Sequence, residues 1–187
     1  MIQDNSQILL DRLKADDQTA IKEIFHSYYA LVYKTLLRFI KEQQTIEDLA
    51  QNVFMRFWEK RHQLHIQGPI APYIKRMAVN EALGHIRKNN RLDLEEEVEE
   101  YALINLHAEQ DADQDYMYGE MKKVIGQAIE QLPPKCQTVF KLSRYEELSY
   151  KEIAEKMEIS PKTVENQMGR ALKLLKKMLK KYLYIFF

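Results

Sequence analysis

Lys162, Asn166, Arg170 and Lys173 recur at three- and four-residue steps in PKTVENQMGRALKLLKK, the spacing that lines side chains along one face of an α-helix. The chemistry open to such a face is recognition of duplex DNA. A carboxamide pairs with the edge of adenine, a guanidinium bonds guanine or phosphate, and lysines neutralise phosphate. Val164, Met168, Ala171, Leu172 and Leu175 form the apolar stripe on the opposite side. A second constellation lies in YIKRMAVNEALGHIRKNNR, where Lys75, Arg76, Asn80, Arg87, Lys88 and Arg91 stand near Trp58 and Tyr73. Cations that follow a backbone beside aromatic faces that receive unstacked bases are the recipe for holding single-stranded DNA. Phe54, Phe57 and Trp58 are also the residue types of a helical core, and core packing is the stronger reading for them. A third set, Asp48, Gln51 and Asn52 in IEDLAQNVFMRFWEKR, falls one helical turn apart, with Leu49, Val53, Phe54 and Phe57 on the other side. It reads either as a partner surface or as the wet face of an ordinary amphipathic helix.

The elements that must carry these residues are helical. Ser149 and Glu152 are spaced as a capping box, which opens a short helix with Ile153, Ala154 and Met157 on its apolar side. Ile159 sits in a turn, and Ser160 before Pro161 supplies an N-cap with proline at the first helical position, where no N–H is needed. The pair is a helix-turn-helix, whose second helix enters the major groove. Glu158 occupies a turn position often held by glycine, and glutamate gains nothing there if the backbone is left-handed.

Upstream, a core-facing helix over about 18 to 40 carries Ile21, Ile24, Phe25, Tyr28, Leu31, Val32, Leu36 and Phe39. A second runs from 45 to about 60. Gly68, Pro69 and Pro72 break the pattern over 61 to 72, and a third helix continues to about 89. Beyond an acidic stretch, a second domain starts near 118, with Val124, Ile125, Ile129 and Leu132 on a helix ended by Pro133-Pro134 and Val139, Phe140 and Leu142 on the next. No run alternates as a half-buried strand does, so the fold class is all-α: two small helical domains, 1–92 and 118–187, joined by a flexible acidic linker over 93–117.

The formal net charge is zero, from 28 Lys and Arg against 28 Asp and Glu. The zero hides a division. Residues 93–115 hold ten acids and no lysine or arginine, so the rest of the chain carries 28 cations against 18 acids. From 161 onward Lys162, Arg170, Lys173, Lys176, Lys177, Lys180 and Lys181 face Glu165 alone, a surface suited to phosphate. The single Cys136 excludes an intrachain disulfide framework and reads as a small core residue in a reducing cytoplasm. No apolar run approaches the length of a membrane span, and MIQDNSQILLDRLK lacks the layout of a signal peptide, so a soluble protein without membrane insertion is expected. His62 with His65, and Glu81 with His85, lack a third ligand or a nucleophile, so no catalytic residue, metal or cofactor is expected. The apolar KYLYIFF reads as packing on the second domain or as contact with a partner.

In the order EDLAQNVFMRFW, a proline-bearing loop, YIKRMAVNEALGHIRK, an acidic linker and AIEQLPPKCQTVFKLSRYEELSYKEIAEKMEISPKTVENQMGRALKLLKK, the chain resembles a bacterial RNA polymerase sigma factor of the sigma-70 family, extracytoplasmic-function (ECF) group. The resemblance covers about 20 to 177. It implies a transcription initiation factor, not an enzyme, whose first domain (region 2) binds core polymerase at the clamp through Asp48, Gln51 and Asn52 and melts the −10 element. The family often has an acid where Asn52 stands. The loop from about 62 to 69, with His62 and His65, matches the segment that captures a flipped base of the non-template strand. Asn80, Arg87 and Lys88 match positions along the −10 DNA, joined by Lys75 and Arg76. The second domain (region 4) is implied to dock on the polymerase flap and to read the −35 element through Lys162, Asn166, Arg170 and Lys173, with Thr163 beside them. The implied partners are core polymerase, promoter DNA and an anti-sigma factor, which in this group is frequently membrane-bound. The acidic linker is implied to thread the polymerase RNA channels, either as a charge mimic of nucleic acid or as a solvated tether. A stand-alone helix-turn-helix regulator is the alternative, and it leaves the EDLAQNVFMRFW ridge without a role.

Overall fold

Helix boundaries in this chain follow its caps and turns. The computed structural model describes residues 6–90 and 114–186, and among them every regular element is helical. The acidic stretch up to Asp113 lies outside the described residues, as does Arg91. The described residues divide into two compact units.

The first unit holds α1 (Ser6–Lys14), α2 (Gln18–Leu37), α3 (Gln43–Glu59), a short 3-10 turn (Arg61–Gln63) and α4 (Ile70–Asn90). α1 has no counterpart among the expected elements, yet it buries Leu9, Leu10 and Leu13. It ends with Asp16 in the left-handed region at φ 64. There Asp16 N–H reaches Leu13 C=O at 3.1 Å and Asp17 N–H reaches Arg12 C=O at 3.1 Å, the two bonds that close a helix through a left-handed residue. Asp17 then caps α2, accepting the Thr19 N–H at 2.8 Å. α2 runs without interruption and buries Ala20, Ile24, Val32 and Leu36, while Ile21, Phe25, Tyr28 and Leu31 are half-buried around them. α4 begins at Ile70, ahead of Pro72, because a proline in the first turn removes no helical hydrogen bond. Ile70, Ile74, Ala78 and Ala82 form its buried stripe, and α2, α3 and α4 pack against one another.

The second unit holds α5 (Gln114–Glu130), α6 (Pro134–Tyr145), α7 (Tyr150–Met157) and α8 (Pro161–Phe186). α5 starts ahead of the expected boundary near 118, so Asp115 stands on a helix. α8 is the element on which α5, α6 and α7 all pack. Two expected core residues stay out. Leu172 is 44% exposed and Ile125 is 37% exposed. Their neighbours Ala171 and Val124 are buried instead, so each helix turns the adjacent position inward. Lys141 is buried, with its Nζ 2.7 Å from Glu130 Oε1 and 3.0 Å from Gln137 Oε1, which satisfies the charge. The side chains of KYLYIFF lie outside the described residues, while the α8 backbone continues through them to Phe186.

Candidate DNA and polymerase interfaces

α3 is sharply two-sided. Ile46, Leu49, Ala50, Val53, Phe54 and Phe57 are buried, and burying a side chain the size of Phe57 contributes about 1.5–3 kcal/mol. That fixes the helix rotation and leaves Asp48 and Gln51 exposed, with Asn52 half-buried beside them. Gln44 Nε2 donates to Asp48 Oδ1 at a long 3.5 Å. Met55, one turn further along the same side, is 54% exposed. It is an apolar addition to the ridge that polarity alone did not reveal.

Between α3 and α4 lies the segment over 62–69 that the resemblance implies for base capture. Leu64 is buried and Ile66 packs on the core, so alternate positions pin the segment and His62, His65 and Gln67 remain exposed. Gly68 takes φ 108, a conformation that only glycine adopts without strain, just before Pro69. His62 is not free-standing, since its Nε2 lies 3.2 Å from Asp16 Oδ1. Arg61, which the sequence reading passed over, is the hub of this corner. Its Nε donates to Asp16 Oδ1, its Nη1 donates to Trp58 C=O at 3.0 Å, and its guanidinium lies 4.2 Å over the Trp58 ring. The Asp16 carboxyl is held below the usual carboxylate range, first by the Arg61 hydrogen bond. Trp58 and Tyr73 are half-buried, and Tyr73 meets Phe57 edge-on at 6.0 Å, so both rings belong largely to the core.

On α4, Arg76, Asn80 and Lys88 are exposed and Lys75 and Arg87 are half-buried. Glu81 pairs with Arg56 of α3 at 2.6 Å, and His85 Nε2 lies 3.0 Å from Asn89 Nδ2. Each of these groups therefore has a structural partner. Among the described residues no cluster of three or more His, Cys, Asp or Glu could hold a metal ion.

In the second unit the capping box forms in full. Ser149 Oγ accepts the Glu152 N–H at 3.3 Å and Glu152 Oε2 accepts the Ser149 N–H at 2.9 Å. α7 closes with Glu158 left-handed at φ 56, where its N–H reaches Glu155 C=O at 3.3 Å and the Ile159 N–H reaches Ala154 C=O at 3.0 Å. Glutamate thus holds the place where glycine would be unstrained. Ser160 Oγ accepts the Thr163 N–H at 3.0 Å and opens α8. Val164, Met168, Ala171, Leu175 and Met178 are buried. That stripe turns Lys162, Asn166, Arg170 and Lys173 outward together, all four exposed. Thr163 is half-buried and its hydroxyl is engaged with Ser160 Oγ at 2.8 Å, which makes it a capping residue first. Cys136 on α6 is buried and donates its S–H to Gln167 Oε1 of α8 at 2.9 Å, which ties α8 to the helix that supports it.

Comparison with known proteins matches both units. Residues 24–92 match the family model for sigma-70 region 2, and residues 122–175 match that for sigma-70 region 4. The RNA polymerase sigma-H factor of Pseudomonas aeruginosa is 24% identical over 188 residues, covering 96% of each chain. The ECF RNA polymerase sigma factor SigW of Bacillus subtilis is 28% identical over 91% of this chain and 95% of its own. SigM of the same organism is 29% identical over 83% and 93% respectively. Among solved structures, CnrH, in complex with the cytosolic domain of CnrY, has a similar fold, with a TM-score of 0.50 and 18% identity over 95% of this chain and 99% of that one. With region 2 and region 4 matched in order on its two helical units, the chain belongs to the sigma-70 family in its extracytoplasmic-function group and is a promoter-directing transcription initiation factor.

Proposed function

We propose that the two units divide the work of promoter recognition. Residues 1–92 bind core polymerase at its clamp through Asp48, Gln51 and Asn52, and open the −10 element with the 62–69 loop and the α4 groups Lys75, Arg76, Asn80, Arg87 and Lys88. Residues 118–187 dock on the flap and read the −35 duplex with Lys162, Asn166, Arg170 and Lys173. Residues 93–117 tether the two, so that both elements are engaged only at the spacing that polymerase sets. Unstacked bases held by stacking contribute about 1–3 kcal/mol each, enough for a few contacts to keep several base pairs apart. Duplex readout needs only a rigid helix and positive charge. We assign the protein no catalytic step and place it in the cytoplasm, where a regulatory anti-sigma protein restrains it.

The observation that supports this reading most directly is the pair of separate polar faces. Each lies opposite a fully buried stripe, one on α3 and one on α8. The test is transcription by purified core polymerase with and without the protein on fragmented host DNA. Discrete starts sharing two spaced elements are expected, and Asp48→Ala with Gln51→Ala should abolish them without unfolding the first unit. No factor-dependent start, together with specific binding of a dimer to a palindromic duplex, would overturn the proposal in favour of a stand-alone regulator.

A further inference from the structure

We infer that α1 and the turn after it form a splint that holds both ends of the 62–69 loop in the geometry for capturing an unpaired promoter base, with Asp16 and Ser6 as its positioning residues. The inference rests on the proposed reading of that loop, but it concerns a part of the chain that precedes the segment matched by the region 2 model, residues 24–92. At the near end the Asp16 carboxylate receives Arg61 Nε and lies 3.2 Å from His62 Nε2. Arg61 is itself anchored to the end of α3 through Trp58 C=O and the Trp58 ring. At the far end the buried Ser6 hydroxyl accepts the N–H of Ile70, the first residue of α4, at 3.4 Å. Between these two points Leu64 is buried in the same cluster as Leu9, Leu10 and Leu13 of α1.

α1 and the turn after it thus hold the start and the end of the loop, with Leu64 between them buried in the core they share. A loop fixed in this way has less conformational freedom to lose when a base enters it, so capture is faster and tighter than for a free segment. Asp16 is the exposed member of its pair with Arg61, 58% against 20%, and an ion pair open to water on one side adds little to stability. Its loss should therefore register in loop placement more than in the fold. The left-handed backbone of Asp16 supports the assignment, because it is a conformation that aspartate and asparagine tolerate better than most residues.

Asp16→Asn keeps that backbone and removes only the charge. The measurement is the rate of promoter opening by the holoenzyme on a duplex carrying a fluorescent adenine analogue in the non-template −10 strand, with polymerase affinity and thermal midpoint measured in parallel. Asp16→Asn should slow opening about fivefold and Arg61→Gln, which also loses the Trp58 contacts, at least as much, while adding Asp16→Asn to Arg61→Gln should slow it little further. Ser6→Ala should slow it independently. Polymerase affinity should stay at wild type in all of them, and the midpoint should stay there in Asp16→Asn, whose carboxylate is the exposed member of its pair. Opening at the wild-type rate in Asp16→Asn and Ser6→Ala would overturn the inference, as would a loss of opening in Asp16→Asn that only follows lost polymerase affinity or a lowered midpoint. Replacing His65, Ile66 and Gln67 together by alanine tests the underlying reading separately, since normal opening in that variant would remove the loop from base capture altogether.

Discussion

Lys162 Nζ lies 2.9 Å from Glu165 Oε2, an ion pair within the first turn of α8 on the face assigned to DNA. The one acid of that face therefore holds one of its four polar contacts against the helix until phosphate competes for it. Lys162→Ala should reduce the slope of log affinity against log salt by about one, the signature of one lost phosphate contact. Glu165→Gln should act in the opposite direction, raising affinity about twofold at low salt, the size of an exposed helix pair. Fluorescence anisotropy on a duplex bearing the −35 element, titrated over salt, reads both.

Glu158 spends its backbone in the left-handed region at φ 56. An L-residue with a side chain pays about 1 kcal/mol there, and glycine does not. Glu158→Gly should raise the thermal midpoint of the second unit by a few degrees, less the entropy that glycine adds to the unfolded chain, at roughly 4–8 °C per kcal/mol for a domain of this size. Glu158→Val should lower it, because a branched side chain fits that backbone worst. Circular dichroism melts of the two variants beside wild type decide the order.

Asp17 binds the turn between α1 and α2, and its carboxyl is held down to about 2, first by the Thr19 hydroxyl and then by Arg12. A folded-state value below the unfolded one of about 4 means that the charged form favours the fold. The contribution is complete above about pH 4 and disappears as pH falls through about 2. The gap in unfolding midpoint between wild type and Asp17→Asn should be constant from neutral pH down to about 4, then close toward 2. A gap that persists at pH 2 would assign the effect to shape instead of charge.

Cys136 is buried, and burial pushes its thiol pKa upward while its S–H is engaged with Gln167. Thiolate is the reactive form, so the native protein should resist alkylation by iodoacetamide at pH 8 and react in denaturant at the rate of a free cysteine. Mass spectrometry before and after unfolding measures the contrast.

Much of this architecture is legible from residue spacing, and what escapes does so for physical reasons. The α3 ridge is readable because Leu49, Val53, Phe54 and Phe57 repeat at helical steps, and α7 is readable because Ser149 and Glu152 announce its start. Leu172 and Ile125 are misplaced by periodicity because each follows another apolar residue, Ala171 and Val124, and apolarity alone does not say which of two adjacent residues the packing admits. α1 is short and buries its leucines only against tertiary neighbours, so nothing local requires it. The Arg61 corner joins positions 45 residues apart in the chain, and charges that meet through the fold leave no period to read. Of the residues proposed for the two interfaces, Asp48 and Gln51 share a face of α3, and Lys162, Asn166, Arg170 and Lys173 a face of α8, as their spacing requires. Thr163 shows the limit, since its residue type fits both a base contact and a cap, and its hydrogen bond to Ser160 is visible only in three dimensions.

α8 is one unbroken helix of 26 residues, about 39 Å long at 1.5 Å per residue. Its first turns carry the groups assigned to the groove, and its far end stands well away from them on the same rigid rod. A rod of this kind is a lever arm. A small change in tilt at the groove becomes a displacement several times larger at the far end, so a fluorophore attached there would report the seating of the recognition helix as a change in distance. Conversely, a protein that gripped that end could unseat the helix without touching a single DNA-facing side chain.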